Sequence, residues 1–352
     1  MKILTIANAA STHTVRWTQA LADRGHQVTV ASVRNVPIEG VEVLAMSRSA
    51  EPSAPSLAAG YVQLPFAIPH RSADVTHAHY ASTNGYAAAL ARTTPTVLTV
   101  WGTDVVPKPG SKLRRTQRHR ARVAIEHADA VTSASPFMAD AVRSISPDVD
   151  PIVVPFGVDT DLFRAIPPND NADRPIVLVA KNLEDKYGVE FVVRAMQSVT
   201  SDHQYARLVV AGDGRRRADL ESLTSDLGVD AEFVGRIPHR DLPELMAQAA
   251  VIVNPTIVDE SFGVVLLEAQ AMGRPVVSTD VGNVRNVTDP GTTALLVPPR
   301  DSAALASAIS SVLRGDQLNS ADRAGPRLVA DRFGWSNSVD QMEQVLDSVA
   351  GR

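Results

Sequence analysis

The sequence predicts an α/β protein of two domains, each built on a parallel sheet. The chain has 352 residues, whereas a typical domain has about 150. Short apolar runs alternate with helical patterns along its length, which is typical of parallel strands covered by helices on both faces. The alternation stops at 165–175, where three prolines lie among Asn and Asp residues, and then resumes. We therefore expect one domain on each side of this linker.

The first half starts with a buried strand and an amphipathic helix. Residues Lys2–Ala7 form an apolar run, His13–Arg24 carries apolar residues on one side, and Gly25 predicts the end of that helix. A second strand is predicted at His26–Ser32. The same alternation predicts further strands at Val75–Ala78, Thr96–Val100, Ala130–Ser133 and Ile152–Val154. This domain is predicted to cover 1–166.

The second half repeats the alternation and is predicted to cover 167–334. Its strands are predicted at Ile176–Ala180, Ala206–Ala211, Glu232–Val234, Val251–Asn254, Pro275–Ser278 and Ala294–Val297. The tail 335–352 contains an amphipathic helical pattern, and we expect it to pack back toward the N-terminal domain. Two Rossmann-like halves are the economical architecture, with ligands bound between them at the carboxyl ends of the strands.

The composition excludes several classes of protein. Hydrophobic residues make up 44% and charged residues 21%, which is ordinary for a globular protein. The absence of cysteine excludes disulfides, thiolate zinc sites and a cysteine nucleophile. No apolar run approaches the roughly 18 residues of a membrane helix, and the run after Lys2 is too short for a signal peptide, so we expect a cytoplasmic protein. Residues 1–166 hold 16 basic and 13 acidic side chains and the remainder 18 and 26, which argues against a nucleic-acid partner.

Candidate ligand-binding residues cluster in the segment 254–282. Glu260 lies in a predicted loop, and Gly263 opens a predicted helix that runs to about Met272. A glycine at a helix start lets a ligand approach free backbone N–H groups, which favour an anion such as phosphate. Glu268, further along this helix, is placed to accept hydrogen bonds from a ribose diol. The alternative is an ordinary helix N-terminus with acidic residues that the helix dipole favours.

This segment closely resembles the donor-site signature of family 4 retaining glycosyltransferases (glycosyltransferase group 1), which share the two-domain GT-B fold. The common pattern is a Glu, seven residues and a second Glu, with Phe-Gly after the first Glu and a Gly-x-Pro-Val-Val strand downstream. The similarity extends over most of the chain. Its other landmarks, in the family's order, are Arg24–Val30, Asp74–His79, Gly157–Asp159 with Phe163, Leu183–Gly188, Ala211–Gly214 and Phe233–Gly235.

The resemblance implies a retaining hexosyltransferase. Such an enzyme moves a sugar from a nucleoside-diphosphate sugar to a hydroxyl group of a glycan, a lipid-linked or a small-molecule acceptor. Two Rossmann-like domains would face each other across a deep cleft, with the donor on the second and the acceptor on the first. The hydroxyl would attack on the face from which the diphosphate leaves, and a leaving-group oxygen would help to take its proton. No cofactor or metal is expected, because fixed cations and helix N–H groups can neutralise the diphosphate.

The resemblance also assigns roles at the donor site. Glu268 would hold the ribose, Glu260 with the backbone at Phe262 and Gly263 would hold the sugar, and the amide of Val264 would meet a phosphate. These assignments concern one loop and one helix start, which is the arrangement that the residue pattern alone favours for an anion.

Four further positions complete the predicted donor site. Lys181 and Lys186 match two basic positions that neutralise the diphosphate. The family usually has Arg at the first, so Lys181 replaces a bidentate fork with a point charge. A solvated surface position is the alternative for either lysine. Ile237 falls where the backbone borders the base, and Gly212 belongs to a landmark of the donor domain.

The acceptor side departs from the family pattern in two places. The turn after the first strand, 8–13, has no glycine, so His13 would contact ligand by its side chain or simply start a helix. The common His-Gly-x-Asp is here Trp101-Gly-Thr-Asp104, and an indole cannot accept a proton. Trp101 would stack on a sugar or line an apolar acceptor site, with a core tryptophan as the alternative. Trp101, His13 and Asp104 are the predicted acceptor-side residues.

Two histidines of one predicted strand, His77 and His79, lie on the same face by alternation. We predict His79 as the catalytic histidine, with a buried structural role as the alternative. The same residues with Glu260 would serve a second hypothesis, a GT-B-fold epimerase or hydrolase acting on the nucleotide sugar. A third hypothesis is a non-catalytic sugar-nucleotide binding subunit, although retained lysines at a leaving-group site argue against it.

Two charge patterns remain. Lys108–Arg122 holds seven Lys/Arg residues and His119 in a predicted helix, which is either a solvated face or a contact with an anionic membrane or a phosphorylated acceptor. The membrane alternative predicts peripheral contact at the inner face of the membrane. Asp148–Asp150 and Asp159–Asp161 look like Asp-x-Asp metal motifs, but a surface turn and a helix cap explain them. No metal site is predicted.

Overall fold

The protein consists of two compact units. The computed structural model describes residues 1–68, 73–93, 95–107, 113–166 and 174–351. The first unit contains Met1–Pro155 together with Ser336–Arg352, and the second contains Phe156–Trp335. Each is built on a parallel sheet with helices between its strands. The predicted fold class, two α/β domains, is therefore confirmed.

Strands and helices alternate in the first unit. They are β1 (Lys2–Ile6), α1 (Thr12–Asp23), β2 (Gln27–Ser32), β3 (Glu42–Ala45), α2 (Ala54–Ala67), β4 (Val75–His79), a π-helical turn (Tyr80–Gly85), α3 (Tyr86–Ala91), β5 (Thr96–Val100), α4 (Arg115–His127), β6 (Ala130–Ser133), α5 (Pro136–Ile145) and β7 (Ile152–Val153). In the described residues the sheet has seven strands in the order β3-β2-β1-β4-β5-β6-β7.

The second unit repeats the plan. Its elements are β8 (Ile176–Ala180), α6 (Val189–Asp202), β9 (Arg207–Ala211), α7 (Arg217–Leu227), β10 (Ala231–Gly235), α8 (Leu242–Gln248), β11 (Ala249–Asn254), α9 (Val264–Ala271), β12 (Val276–Thr279), α10 (Val284–Val287), β13 (Ala294–Val297), α11 (Ser302–Leu313) and α12 (Ala321–Phe333). Among the described residues its sheet has six strands, ordered β10-β9-β8-β11-β12-β13. A last helix, α13 (Trp335–Ala350), follows.

Each sheet has one point where the strand order reverses. In the first unit β1 pairs with both β2 and β4, and in the second β8 pairs with both β9 and β11. All these pairs are parallel. Loops that leave the carboxyl ends of the two central strands turn to opposite faces of the sheet there, which opens a crevice where ligands bind in such folds. The candidate residues should therefore be sought after β1, β4, β8 and β11.

The strands are buried on both faces, which explains why short apolar runs locate them well. Strands β4, β5 and β8 are buried at every residue. Edge strand β3 and helix α2 were not predicted. Strand β3 is only partly buried along its length, and α2 carries no charged side chain and has Pro65 inside it, so neither shows the usual amphipathic pattern.

The unit boundary falls before the predicted linker. Val158 donates its backbone N–H to Phe333 O and accepts from Trp335 N, and Phe163 is fully buried. Residues after Pro155 are therefore built into the second unit, whereas the linker was placed at 165–175, of which 167–173 lie outside the described residues.

Helix α13 packs within the first unit through a charged cluster. Arg24 and His26, at the end of α1, both contact the carboxylate of Glu343, at 2.7 Å and 2.5 Å. Arg24 also pairs with Asp340. The hydrogen bonds from Arg24 and His26 lower the pKa of Glu343 below its ordinary value. The tail is thus held beside the first sheet by residues more than three hundred positions away in sequence.

Candidate functional site

The predicted donor residues come together in the second unit, after β8 and β11. Lys181 directly follows β8, and Glu260 lies in the loop between β11 and α9. Lys181 Nζ donates to Glu260 Oε2 at 2.8 Å. Their side chains are only 12% and 19% exposed. A cation and a carboxylate are thus held together at the switch point of the sheet, mostly shielded from water.

Backbone contacts fix the Glu260 loop in place. Asn283 donates its backbone N–H to Glu260 O at 2.8 Å, and its side chain donates to Phe262 O at 3.2 Å. A side chain at Gly282 would lie 2.5 Å from Glu260 N. The loop and the segment after β12 can therefore pack this closely only because position 282 is glycine.

Helix α9 begins where the sequence predicts it. Gly263 adopts φ +88° and Val264 is the first helical residue, so free backbone N–H groups lie at this start. The predicted contact of the Val264 amide with phosphate agrees with the usual preference of a helix start for anions. Phe262, just before, is buried and meets Phe156 and Phe333 edge-on.

Lys186 lies in a tight turn next to the Glu260 loop. The turn covers Asp185–Tyr187, and Gly188 follows in the left-handed conformation. Ile257 donates its backbone N–H to Lys186 O at 3.0 Å, which joins the turn to the loop after β11. The Tyr187 ring contacts both lysines, with Lys181 Nζ 5.3 Å and Lys186 Nζ 4.7 Å from its centroid.

A network around Arg216 holds this turn from its other side. The Arg216 guanidinium donates to Asp185, in the turn, and at 3.0 Å to Glu190, which follows the turn. These hydrogen bonds raise the pKa of Arg216 and lower that of Asp185. Arg215 pairs with Glu184 and Asp185. Lys186 therefore lies between residues that form ion pairs, Asp185 before it and Glu190 after it. The side chains of Arg216 and Glu190 are only partly exposed, at 27% and 32%.

Gly212 is a packing position beside Lys181. It adopts φ +148°, and a side chain there would lie 1.8 Å from Lys181 O. Its N–H donates to Gly235 O at 2.7 Å. The backbone of β9 thus passes directly against Lys181, so this glycine determines where the lysine can be.

The predicted ribose-binding carboxylate has a partner that the sequence did not indicate. Glu268 is buried, and its Oε1 is 2.6 Å from His239 Nε2. His239 is an exposed side chain in the turn after β10, and its ring lies 5.1 Å from that of Phe163. Ile237, the predicted base neighbour, precedes it in the same connection. His239 and Glu268 are 29 residues apart in the sequence, so no local sequence pattern indicates their contact.

The acceptor-side residues form a stack of rings in the first unit. His13 lies parallel to Trp101 with ring centroids 4.8 Å apart, and His79 meets Trp101 edge-on at 5.4 Å. His77 lies edge-on to His79 at 4.5 Å, so alternation correctly placed the two histidines on one face. His77 Nε2 lies 2.7 Å from Thr99 Oγ1.

His79 is fully buried in this stack. Burial lowers the pKa of His77 to about 4 and that of His79 well below its ordinary value. Both rings are therefore neutral at pH 7. His79 Nδ1 is 3.5 Å from Thr14 Oγ1, and its Nε2 has no hydrogen-bond partner among the described residues. The catalytic role of His79 stays a prediction, and the fully buried ring has no direct contact with solvent.

Asp104 joins the end of β5 to the turn after β4. Its carboxylate accepts backbone N–H bonds from Ala81, Trp101 and Gly102 at 2.8, 3.2 and 2.9 Å. Burial raises its pKa, although these bonds oppose the shift. Tyr80 there adopts φ +69°, which is rare for a non-glycine residue. Asp104 therefore shapes the crevice by holding its backbone.

The basic segment is exposed where the structure describes it. Arg114, Arg115 and Arg118 lie at the start of α4, Arg118 donates to Ser144 O at 2.6 Å, and Arg122 pairs with Glu126. The predicted members within 108–112 lie outside the described residues. Within the described ranges, no helix combines the length and apolar character needed to span a bilayer. Nor do those ranges hold a cluster of three side chains suited to bind a metal ion.

Comparisons with known proteins identify the family. The family described as "Glycosyl transferases group 1" matches residues 174–315, and "Glycosyl transferase 4-like" matches residues 2–135. D-inositol 3-phosphate glycosyltransferase of Xylanimonas cellulosilytica is 30% identical over 319 residues, 80% of this chain and 74% of that protein.

Other relatives match over less of their length. Alpha-D-kanosaminyltransferase of Streptomyces kanamyceticus is 33% identical over 50% of this chain and 46% of that protein. Phosphatidyl-myo-inositol mannosyltransferase of Mycobacterium leprae is 32% identical over 57% of this chain and 54% of that protein. The chain thus spans about half the length of these two curated relatives.

Solved structures show the same fold. Sucrose-phosphate synthase of Thermosynechococcus elongatus superposes with a TM-score of 0.84 at 24% identity, over 99% of this chain and 98% of that one. Anabaena HepE in complex with UDP has a TM-score of 0.80 at 19% identity, over 99% and 100%. Fold and residue pattern define a protein of the GT-B class. The chain belongs to the group 1 glycosyltransferases, as the sequence predicts.

Proposed function

We propose that the protein is a retaining glycosyltransferase that moves a sugar from a nucleoside-diphosphate sugar to a hydroxyl acceptor without a metal. The observation that carries this proposal is the shielded Lys181–Glu260 pair beside the start of α9. A diphosphate that enters there meets an ammonium group and free backbone N–H groups, which stabilise the negative charge that develops as it leaves.

The two residues of the ion pair bind different parts of the donor. As the diphosphate binds, Lys181 Nζ exchanges the carboxylate of Glu260 for phosphate oxygens. Glu260 is then free to accept hydrogen bonds from hydroxyls of the transferred sugar. Lys186, held 4.7 Å over the Tyr187 ring, supplies a second cation from the neighbouring turn. Two lysines and a helix start thus provide the positive charge that a metal would otherwise supply.

Glu268 and Ile237 hold the nucleoside. The ribose diol donates to the buried carboxylate of Glu268, and His239 keeps that carboxylate in position from the other side. The base lies along the backbone near Ile237. HepE structures contain UDP and UDP-glucose, which supports a nucleoside-diphosphate donor for this chain.

The acceptor binds over the ring stack of the first unit. The indole of Trp101, stacked on the His13 ring, is of the kind that packs against the apolar face of a sugar. Burial lowers the pKa of both histidines and makes them weak bases, so we assign proton removal to the leaving diphosphate oxygen, on the same face as the attack. His79 supports the position of Trp101 and is tested as a proton acceptor by the variant His79→Gln.

The exposed arginines of α4 contact an anionic membrane or a phosphorylated acceptor. Arg114 and Arg115 project from the helix start, and each basic residue near an acidic leaflet adds about 1 kcal/mol of attraction. This supports a cytoplasmic protein with peripheral contact at the inner membrane face. The relatives named phosphatidyl-myo-inositol mannosyltransferase and D-inositol 3-phosphate glycosyltransferase support an anionic acceptor.

A thermal-shift series with UDP, GDP, ADP and dTDP, each with and without magnesium, tests the donor site. A ligand at 100 times its Kd stabilises the native state by about 2.7 kcal/mol. We expect one nucleotide to raise Tm by several degrees equally with and without magnesium. Lys181→Met should abolish the shift, while Lys2→Met, a lysine of the first unit, should keep it.

The same nucleotide sugar then distinguishes the reaction classes. We expect no consumption of the sugar nucleotide without acceptor and retained anomeric configuration in the product. Free sugar or an epimer formed without acceptor would instead show a hydrolase or epimerase. The absence of any nucleotide shift would contradict the assignment of Lys181 and Lys186, and a shift that needs magnesium would contradict the metal-free site.

A further inference from the structure

An apolar groove lies on the first unit, between helices α2 and α3. One wall is α2, with Tyr61, Val62 and Phe66, and the other is α3, with Tyr86 and Leu90. Ser82 and Thr83 of the π-helical turn also line it. The cavity has a volume of about 880 Å³, and small-molecule sites typically measure about 300–1,000 Å³. We call it the α2–α3 groove.

The walls of this groove expose large apolar side chains to solvent. Phe66 is 76% exposed, Val62 67% and Leu90 55%. Helix α2 has 14 residues and no charged side chain. A contiguous apolar surface of this kind is uncommon on a protein that stays unbound, because removing such side chains from water is favourable. The groove therefore needs an apolar occupant.

Two arginine side chains line the groove on the side of α3 and α4. Arg92 ends α3 in the left-handed conformation, and Arg120 of α4 lies with its guanidinium 5.5 Å from the Tyr86 ring centroid. Among the described lining residues there is no Asp or Glu. The groove thus combines apolar walls with two arginines, whose guanidinium groups bind phosphate through charge and bidentate hydrogen bonds.

We propose that the α2–α3 groove binds a single anionic amphiphile. Its hydrocarbon chain lies between Val62, Phe66 and Leu90, and its phosphate lies at Arg92 and Arg120. A second copy of the chain fits less well, because a two-fold contact would bring the same arginines together with no acidic residue in the lining to pair with them. A concave site also fits a single hydrocarbon chain better than it fits the flat surface of a bilayer.

The groove is connected to the acceptor side by the π-helical turn. Ser82 and Thr83 belong to the turn that begins directly after His79. An amphiphile held there would have its head group on the unit that carries the proposed acceptor site. The identification of this amphiphile with the acceptor, or with the carrier of the acceptor, rests on the proposed function, but its binding to the groove does not.

Calorimetric titration with decyl phosphate below its critical micelle concentration tests the proposal. We expect one decyl phosphate per protein, with inorganic phosphate and decyltrimethylammonium each bound at least about tenfold more weakly, which corresponds to 1.4 kcal/mol. Phe66→Ser and Leu90→Ser should each weaken decyl phosphate binding. The matched control is Ile152→Ser, which removes an exposed apolar side chain of β7 outside the groove.

The arginines are tested separately from the apolar walls. The double variant Arg92→Gln and Arg120→Gln should lower the affinity for decyl phosphate about tenfold and leave that for decanol unchanged. Equal binding of the ammonium and phosphate amphiphiles would overturn the proposal. So would binding to anionic vesicles without binding of the monomer, or a wild-type dimer that Phe66→Ser dissociates, since these outcomes identify a bilayer or a second copy as the occupant.

Failure of this proposal and failure of the proposed function have different signatures. Groove variants should retain the nucleotide thermal shift, which also shows that they fold. Lys181→Met should retain decyl phosphate binding. A protein that binds nucleotide but no amphiphile would overturn the groove proposal only, and one that binds amphiphile but no nucleotide would overturn the proposed function only.

Discussion

At the scale of single residues, the donor site depends on how two lysines are held near each other. Like charges repel, yet Lys181 and Lys186 share one aromatic ring, and Lys181 is also neutralised by Glu260. The negative face of the Tyr187 ring offsets part of that repulsion. Tyr187 is thus a positioning residue in the proposed site, although the family resemblance assigns it no role.

Replacement of Tyr187 by Leu should weaken donor binding. Two cation–π contacts at about 0.5–1 kcal/mol each imply a loss of roughly fivefold to thirtyfold in donor affinity. Tyr187→Phe keeps the ring and is the matched control. Donor KM and kcat should be measured for both, and we expect the change in KM. Equal losses in the Leu and Phe variants would show that the hydroxyl, and not the ring, is responsible.

Buried His77 should make the protein sensitive to acid. Its folded pKa is about 4 because of burial, whereas an unfolded histidine titrates at 6.5. The unfolded state therefore binds the proton first as pH falls, so this contribution to stability is present above pH 6.5 and is lost progressively toward pH 4. The difference corresponds to about 3 kcal/mol at 1.36 kcal/mol per pKa unit.

Urea unfolding at pH 7 and pH 4.5 measures this loss. His77→Gln should be less stable than the wild type at pH 7 but should lose less on acidification. Exposed His119→Gln is the matched control and should keep the wild-type loss. An unchanged acid loss in His77→Gln would mean that other groups, His79 included, carry the whole effect.

At the scale of the elements, the close packing of β9 against β8 determines the position of Lys181. Lys181 N donates to Ala211 O at 3.0 Å, and Gly212 continues beside it. Parallel strands of a Rossmann-like sheet reach the same edge, so the residue that ends one strand borders the residue that ends the next. The position of Lys181 at this edge therefore depends on the glycine at 212, which lets the two strand ends approach.

Gly212→Ala should damage both the fold and donor binding. The new Cβ would lie 1.8 Å from Lys181 O, a backbone atom, so the strand ends must separate. Gly228→Ala is the matched control, because Gly228 also has a positive φ, +65°, but no atom lies within 4 Å of the added Cβ. The control should cost about 1 kcal/mol and keep donor binding. Thermal unfolding and the nucleotide shift measure both effects, and equal results for the two variants would contradict the packing role.

At the scale of the whole molecule, charge is divided unequally along the chain. Residues 1–166 carry a small basic excess, and the remainder is acidic. Exposed arginines of α4 concentrate that excess on one helix, while the ion pairs around Arg216 in the second unit neutralise its basic residues locally. Attraction to an anionic surface should therefore act on the first unit.

Neutralising two arginines of α4 should weaken association with anionic vesicles. At about 1 kcal/mol each, Arg114→Gln with Arg115→Gln should lower the partition coefficient by roughly thirtyfold at low salt. Arg323→Gln with Arg327→Gln, exposed on α12, is the matched control and should partition like the wild type. Co-sedimentation with phosphatidylglycerol vesicles measures this, and unchanged partitioning of the α4 variant would contradict membrane contact through this helix.

Most of the fold could be predicted from the sequence because its strands are short and buried on both faces. Strands β5, β6, β8 and β13 have the predicted bounds. Edge strand β3 and charge-free α2 could not be predicted, since neither shows a half-apolar period. The start of the second unit at Phe156 was also missed, because it depends on a pairing of Val158 with residues near Gly334.

The sequence by itself determined the family, the alternation of strands and helices, and the segment where Lys181, Glu260 and α9 meet. Those features depend on local periodicity and on glycines that a turn requires. Only the tertiary structure decided the contact of His239 with Glu268, the burial of His79 behind Trp101 and the groove between α2 and α3. Each of these depends on distant segments packed side by side, and burial is a property of that packing, which no single segment encodes.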